Sequence, residues 1–175
     1  MFEVGELVVH GTAGVCIVKE IGTPEVFADS APRLYYTLVS ANDETKIIYM
    51  PVDSQKVYLR KAMSKEQAEV LLAELDSVPS KSQWNSRSMI DEFREDISTT
   101  HARGCAAWIK GIYELQEKKQ KTGKKQLTGT EKNCLKLAES YLYDEMSKAL
   151  GIPHAEVKTL VLKKMGILQS PAAIH

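Results

Sequence analysis

Few residues of this 175-residue chain have the types and spacing that enzyme chemistry requires. Catalysis would need a nucleophile with a histidine, a pair of carboxylates or a phosphate-binding loop, and the sequence contains no such pattern. His101 and Cys105 lie four positions apart and could face one metal ion, but two ligands are half a site. A metal-dependent enzyme at these residues is one alternative, and a histidine in a capping turn beside a core cysteine is the other. The sequence therefore predicts no catalytic residue, no metal site and no cofactor.

A cluster of lysines is a candidate site for a polyanion. Its five members lie within eight residues and are Lys118, Lys119, Lys121, Lys124 and Lys125. They would attract phosphate over about a Debye length, roughly 8 Å at physiological salt. A helix beginning after Thr128 would add free backbone N–H groups and the positive end of its dipole, with Lys132 in its first turn. The alternative is a solvated turn between two helices.

Trp84 is the second candidate, because it is isolated from other apolar residues. From Ser80 to Ser88 the sequence contains no apolar residue except Trp84. A tryptophan in polar, basic sequence can stack on a nucleobase or wedge against one, and Arg87 would then contact phosphate or the minor groove. The alternative is a hydrophobic staple, in which Trp84 only packs the start of a helix against the bundle. Trp108 is surrounded by apolar residues and is expected in the core.

The elements that must position these candidates are of two kinds, and strands come first. Before Arg60, short runs of β-branched and aromatic residues alternate with turn sequences. This pattern predicts a small, strongly curved antiparallel sheet or barrel. Proline cannot donate to a ladder, so Met50-Pro51 indicates an edge strand or a strand end. The expected strands are Glu6 to His10, Val15 to Ile21, Tyr35 to Val39, Ile47 to Met50 and Val57 to Leu59.

Helices follow the strands. The hydrophobic period changes from 2 to 3.6 between Arg60 and Ser64, which indicates a domain boundary there. Ser64 to Gln67 and Thr128 to Glu131 are capping-box patterns that mark helix starts. Five helices in about a hundred residues predict a compact bundle, and the whole chain is then an α+β protein of two domains. The helices are expected to begin near Ser64, Trp84, Thr99 or Thr100, Thr128 and Pro153.

Charge and composition narrow the classes of partner. The chain carries 23 Lys+Arg and 23 Asp+Glu, but residues up to Val78 include 7 basic and 12 acidic ones, and those from Pro79 include 16 and 11. Such a division is typical of a protein whose basic part meets a polyanion. No stretch approaches the roughly 20 apolar residues of a membrane helix, and three widely spaced cysteines suit a reducing compartment. A cytoplasmic location and no membrane partner are expected.

Several short motifs together resemble one family. They are Val4 to His10, Gly14-Val15, Tyr49 to Pro51, Trp84 with Arg87, and Leu127 to Lys132. In this combination and order the sequence is similar to the CarD/CdnL family of bacterial transcription regulators, over nearly the whole chain. The resemblance implies a non-enzymatic protein whose partners are RNA polymerase and promoter DNA, with no small-molecule substrate.

The resemblance also implies a division of labour. Residues 1–62 would be a Tudor-like antiparallel β-barrel that docks on the polymerase β subunit by pairing sheet edges. Residues 63–175 would be a five-helix domain that touches promoter DNA at the upstream edge of the bubble and stabilises the open complex. Trp84 matches the family's minor-groove wedge, Arg87 a backbone contact and Lys132 a lysine of the DNA face. The polymerase-facing strand corresponds to Ile47, Ile48, Tyr49, Met50 and Pro51.

The sequence departs from the family pattern in three places. Many members follow the tryptophan with two adjacent arginines, whereas here only Arg87 and Arg94 remain in that region. Some members have an arginine in place of Tyr49, and the segment from Gly22 to Arg33 has no counterpart that we can match. These departures imply weaker DNA binding, or binding shifted toward the lysine cluster, including Lys124 and Lys125. A protein-only adaptor without DNA binding is the alternative function.

Overall fold

A computed structural model describes residues 1–28, 32–55, 58–123 and 126–168, without the side chain of Thr100. The chain divides into two compact units, residues 1–63 and 64–175. Lys124 and Lys125 of the lysine cluster and Val57 of the fifth expected strand lie outside the described residues.

The described residues of the first unit form one antiparallel sheet of five strands in the order β4-β3-β2-β1-β5. Turns join β1 to β2 and β3 to β4, and both pairs are antiparallel neighbours. Gly14 begins β2 opposite His10 with a φ of 72°, a conformation that glycine adopts without strain. The strands are β1 (Leu7–His10), β2 (Gly14–Gly22), β3 (Tyr35–Ser40), β4 (Asp43–Pro51) and β5 (Leu59–Lys61).

The position of β4 confirms the prediction that Met50-Pro51 marks an edge strand or a strand end. Pro51 is the last residue of β4 and lies opposite Tyr35, and β4 is at one edge of the sheet. A missing backbone N–H is tolerated at an edge, where no further strand needs it. The strand is longer than expected, because it starts at Asp43 directly after a tight turn from Ser40.

The sheet curls around its own core without closing its ladder. Among the described residues β4 and β5 do not pair, so the expected barrel is open between its edges. Met50 of β4 and Leu59 of β5 nevertheless line one pocket of about 390 Å³. A sheet with one apolar face must cover that face, and here curvature does so. The core consists of Val8, Cys16, Val18, Tyr36, Leu38 and Met50.

The second unit contains helices α1 (Lys65–Glu74), α2 (Met89–Lys121), α3 (Gly129–Leu150) and α4 (His154–Lys164). His101 has φ 56° and ψ −128°, which breaks α2 into two segments. The described part of this unit therefore contains five helical segments, and the α+β fold class expected from the sequence is confirmed. Within the described ranges, no helix is long and apolar enough to span a bilayer.

Local signals explain three of the helix ends. Both capping boxes form: Ser64 Oγ accepts from Gln67 N at 3.2 Å, and Thr128 Oγ1 accepts from Glu131 N at 3.2 Å. Gly151 ends α3 with a φ of 67°. Thr99 is different from what the sequence predicts, because its hydroxyl donates to Glu95 O at 3.0 Å and so belongs to the preceding turn.

The core of the second unit lies between α2, α3 and α4. Trp108 is fully buried, as its apolar neighbours in the sequence predict. The three cysteines of the chain are buried and form no disulfide. The largest fully buried side chains of this core also include Ile109, Ile112, Leu142, Tyr143, Met146 and Val157.

Candidate nucleic-acid interface

Trp84 lies in the loop between α1 and α2, residues 75–88, which we call the Trp84 loop. Its backbone is attached to α2, because Lys81 N donates to Ala107 O at 2.9 Å. Lys110 Nζ donates to two carbonyls at the start of the loop, Asp76 O at 2.8 Å and Val78 O at 2.9 Å. The loop is therefore held against the second segment of α2.

Gly111 makes this close contact possible. A Cβ atom at position 111 would lie 1.9 Å from Lys81 O and 2.8 Å from Lys81 C. Both atoms are backbone, so they cannot move aside as the end of a flexible side chain would. A glycine in the middle of a helix normally weakens it, and here it allows the loop to lie directly on the helix.

Trp84 stacks on Trp108. The two ring centroids are 5.5 Å apart with an interplanar angle of 28°. Trp84 is half-buried, whereas Trp108 is fully buried and also meets Phe93 edge-on at 5.5 Å. Trp84 thus packs on the bundle, as the staple interpretation expects, and keeps part of its surface accessible, as a wedge requires.

A groove beside Trp84 joins the loop to the region between α2 and α3. It has a volume of about 600 Å³, and we call it the Trp84 groove. Trp84, Lys118 and Glu131 contribute to one surface there, although they are far apart in the sequence. The lining residues are Ser82, Gln83, Trp84, Gly111, Glu114, Leu115, Lys118 and Glu131.

Carboxylates neutralise part of the lysine cluster. Lys119 Nζ lies 2.9 Å from Glu131 Oε2, and Lys121 Nζ lies 2.7 Å from Glu117 Oε1. Burial opposes ionisation of Glu131, but the bonds from Lys119 and from the Thr128 N–H outweigh it and lower its pKa. Of the three described lysines in the cluster, two therefore have an acidic partner, and the cluster presents less positive charge than its sequence suggests.

The other residues expected on the DNA face are exposed. Arg87 follows Trp84 in the same loop, and its backbone N–H donates to Asn85 Oδ1 at 3.0 Å. Lys132 is exposed in the first turn of α3, next to Glu131 of the Trp84 groove. Arg94 lies 3.8 Å from Asp91 in an exposed ion pair.

Strand β4 carries the residues expected to face polymerase. Its side chains alternate: Ile47 and Tyr49 are 52% and 37% exposed, whereas Met50 is buried and Ile48 packs against the core of the first unit. The edge position leaves the outer side of the β4 backbone without a neighbouring strand in the described sheet. Such an edge can pair with a strand of another protein.

An aromatic group next to β4 was missed by the sequence analysis. A short 3-10 helix, Glu25–Phe27, places Phe27 against Tyr35 at 4.9 Å and against Tyr49 at 5.6 Å between ring centroids. Phe27 lies in the segment from Gly22 to Arg33, Tyr35 follows that segment, and Tyr49 belongs to β4. Contacts between rings so distant in sequence leave no local pattern by which to find them.

The proposed metal ligands do not assemble into a larger set. No group of three His, Cys, Asp or Glu residues in the described part of the chain is close enough to hold a metal ion. Cys105 is buried, and His101 occupies the break in α2. Cys105 thus belongs to the core of the second unit, and His101 lies where α2 divides into two segments.

Comparison with known proteins covers the first unit. Residues 2–63 match the CarD-like/TRCF RID domain family. The match ends where the first compact unit ends, and the helical unit is not part of it. No curated protein matches the chain. The amino-terminal unit is therefore similar to the RNA polymerase-interacting domain of CarD-like, transcription-related proteins.

Proposed function

We propose that this protein is a non-enzymatic transcription regulator that docks on the RNA polymerase β subunit and stabilises the promoter open complex through its helical unit. The observation that carries the proposal is Trp84: a half-buried indole on a loop that α2 holds in place. Trp84 shares the Trp84 groove with Glu131 of the first turn of α3, and Lys132 of the same turn is exposed.

Docking would use β4. The unpaired side of this edge strand can supply main-chain hydrogen bonds to a strand of the β subunit, while Ile47 and Tyr49 supply apolar contacts. The match of residues 2–63 to the CarD-like/TRCF RID domain supports this assignment. In this arrangement the first unit provides affinity for polymerase and does not contact DNA.

DNA contact would come from the helical unit. Trp84 would wedge into the minor groove at the upstream edge of the bubble, and Arg87 and Lys132 would contact the phosphate backbone. Lys124 and Lys125, which lie outside the described residues, are proposed from the sequence to add to the DNA contacts. Docking raises the effective concentration of the helical unit near DNA, so weak intrinsic binding is sufficient.

The effect on transcription follows from differential affinity. A protein that contacts melted DNA better than closed DNA shifts the equilibrium toward the open complex by that difference in free energy. Minor-groove and phosphate contacts carry little sequence information. The protein should therefore act at many promoters and leave promoter selection to the polymerase.

The protein-only adaptor is the second candidate, and the carboxylates favour it. Glu114 and Glu131 line the Trp84 groove, and Glu131 neutralises Lys119. These carboxylates repel phosphate and so weaken the attraction that the lysine cluster alone would provide. Under this function the groove would hold part of a protein.

Substitution of Trp84 separates the two candidates. We expect Trp84→Ala to shorten the lifetime of the open complex on a fork-containing promoter, while binding to polymerase is unchanged. Lys132→Ala should weaken binding to fork DNA and reduce the steepness of its salt dependence by about one phosphate contact. Unchanged lifetime together with an unchanged salt slope would leave the adaptor as the function.

A further inference from the structure

We propose that Lys81, Asp96 and Trp108 form a positioning group that sets the orientation of Trp84, so that Trp84 meets DNA already ordered. The inference rests on the proposed function, in which Trp84 contacts DNA. It assigns Lys81, which lies in the basic stretch next to Trp84, a role inside the protein.

Asp96 is the centre of this group. Its Oδ2 atom accepts a hydrogen bond from Trp108 Nε1 at 2.9 Å and lies 3.0 Å from Lys81 Nζ. One carboxylate oxygen therefore orients the indole on which Trp84 stacks and holds a side chain of the Trp84 loop. Asp96 and Trp108 lie on opposite sides of the break at His101, so the group also links the two segments of α2.

Lys81 completes the group from the side of the loop. Its ammonium lies 5.4 Å from the centroid of the Trp108 ring, within the range of a cation–π interaction. Its backbone N–H is bonded to Ala107 O at 2.9 Å, and its side chain is 28% exposed. Glu92 lies 3.9 Å from the same ammonium, so two carboxylates of α2 attract it.

The remaining loop contacts point the same way. Glu92 Oε1 accepts from Asn85 N at 3.0 Å and from Ser88 Oγ at 2.9 Å. The residues on both sides of Trp84 are thus attached to α2, at Lys81 before it and at Asn85 after it. Trp84 lies between these attachments, and its ring stacks on Trp108.

Such order has a measurable consequence for binding. A side chain that must be immobilised on binding costs about two- to tenfold in affinity, and a side chain that is ordered beforehand avoids this loss. We therefore expect loosening of the group to shorten the open-complex lifetime roughly two- to tenfold, less than removal of Trp84 itself.

The first experiment measures the order of Trp84 without DNA. The sequence contains two tryptophans, so the full chain labelled with 5-fluorotryptophan should give two ¹⁹F resonances, assigned with Trp84→Phe. Lys81→Met and Asp96→Asn should move the Trp84 resonance toward its position in the unfolded chain, whereas Lys81→Arg should restore it. Glu74→Gln, which removes the partner of Arg103 elsewhere in the unit, is the matched control. An unmoved resonance in both test variants would overturn the proposal.

The second experiment asks whether Lys81 acts through Trp84. Lys81→Met should shorten the open-complex lifetime in the native background and have no effect in the Trp84→Ala background. An equal effect in both backgrounds would show that Lys81 contacts DNA itself, which contradicts a positioning role. If Trp84→Ala leaves the lifetime unchanged, the proposed DNA function fails, and the ¹⁹F spectra still decide whether the group orders Trp84.

Discussion

The two candidate interfaces of this protein are built in different ways. The first unit offers the edge of a sheet, where main-chain groups of β4 and alternate side chains face outward. The second unit offers one indole whose position depends on hydrogen bonds, an ion pair and a ring stack from α2. Every open sheet has edge strands. A loop residue, in contrast, is ordered only if several residues distant in sequence make contacts that hold it in place.

This difference predicts how each interface tolerates substitution. On β4, single side chains can change with little effect on folding, because the outward positions pack against nothing in the core. In the Trp84 loop, changes in α2 that never touch a partner should still alter the interface.

Gly111→Ala should have the largest effect. Alanine in a helix interior is favoured over glycine by about 1 kcal/mol, but the added Cβ would lie 1.9 Å from Lys81 O. Overpacking of this kind costs about 1–3 kcal/mol, so we expect a net loss of stability and a displaced Trp84 loop. Urea unfolding of the full chain, followed by tryptophan fluorescence, measures it.

The matched control for that change is Gly129→Ala. Gly129 is also helical, at the start of α3, and a Cβ there would have no atom within 4 Å. We expect this variant to be as stable as the native protein or more so. A Gly111→Ala protein that gains stability in the same way would show that the loop does not lie closely on α2.

Ile47→Lys should affect binding and leave folding nearly unchanged. Ile47 is 52% exposed on β4, and surface changes of this kind usually alter stability by less than about 0.5 kcal/mol. Loss of an apolar contact and a buried charge at the docking edge should weaken binding to the polymerase β lobe about tenfold or more.

Val70→Lys provides the comparison for this test. Val70 is 55% exposed on α1 in the helical unit, so the same chemical change is made outside the proposed docking strand. Both variants are compared in pull-down assays with the isolated β lobe. Equal binding by the two proteins would rule out β4 as the docking edge.

Glu131→Gln should have the smallest effect, and it depends on pH. The pKa of Glu131 is lowered in the folded protein from an ordinary value of 4.5, so its contribution to stability is present above pH 4.5 and is lost as pH falls through the folded value. The amide cannot ionise and loses the Lys119 ion pair. We expect about 1 kcal/mol less stability at pH 7 and a weaker decline in acid.

Thermal unfolding between pH 7 and pH 3 checks this prediction. The Tm difference between the native protein and Glu131→Gln should shrink as the pH falls. A constant difference over this range would mean that Glu131 does not stabilise the start of α3 through its charge. Glu114→Gln, another acid of the Trp84 groove, serves as the comparison.

The apparent charge division between the two parts changes with the fold. Divided at Val78, the chain has an acidic first part and a basic second part, but α1 and its acids belong to the helical unit. Residues 1–63 contain 6 Lys+Arg and 8 Asp+Glu, and residues 64–175 contain 17 and 15. The helical unit is therefore only slightly basic, so its contact with DNA must depend on where its charges lie.

Local sequence determined much of this protein. The capping boxes at Ser64 and Thr128, the glycine after α3 and the proline at the end of β4 each act on neighbouring backbone, so the sequence alone predicts them. The same is true of the five strands and five helical segments, whose hydrophobic periods arise from residues within one element.

Only the tertiary structure decided how the candidate sites are built. The stack of Trp84 on Trp108, the Asp96 oxygen between Trp108 and Lys81, and the Lys119–Glu131 pair join residues from different elements. The hydrogen-bonded ladder that stays open between β4 and β5 is a property of the same kind within the described residues. Such contacts depend on where the folded chain brings distant groups together, and no spacing along the sequence encodes that distance.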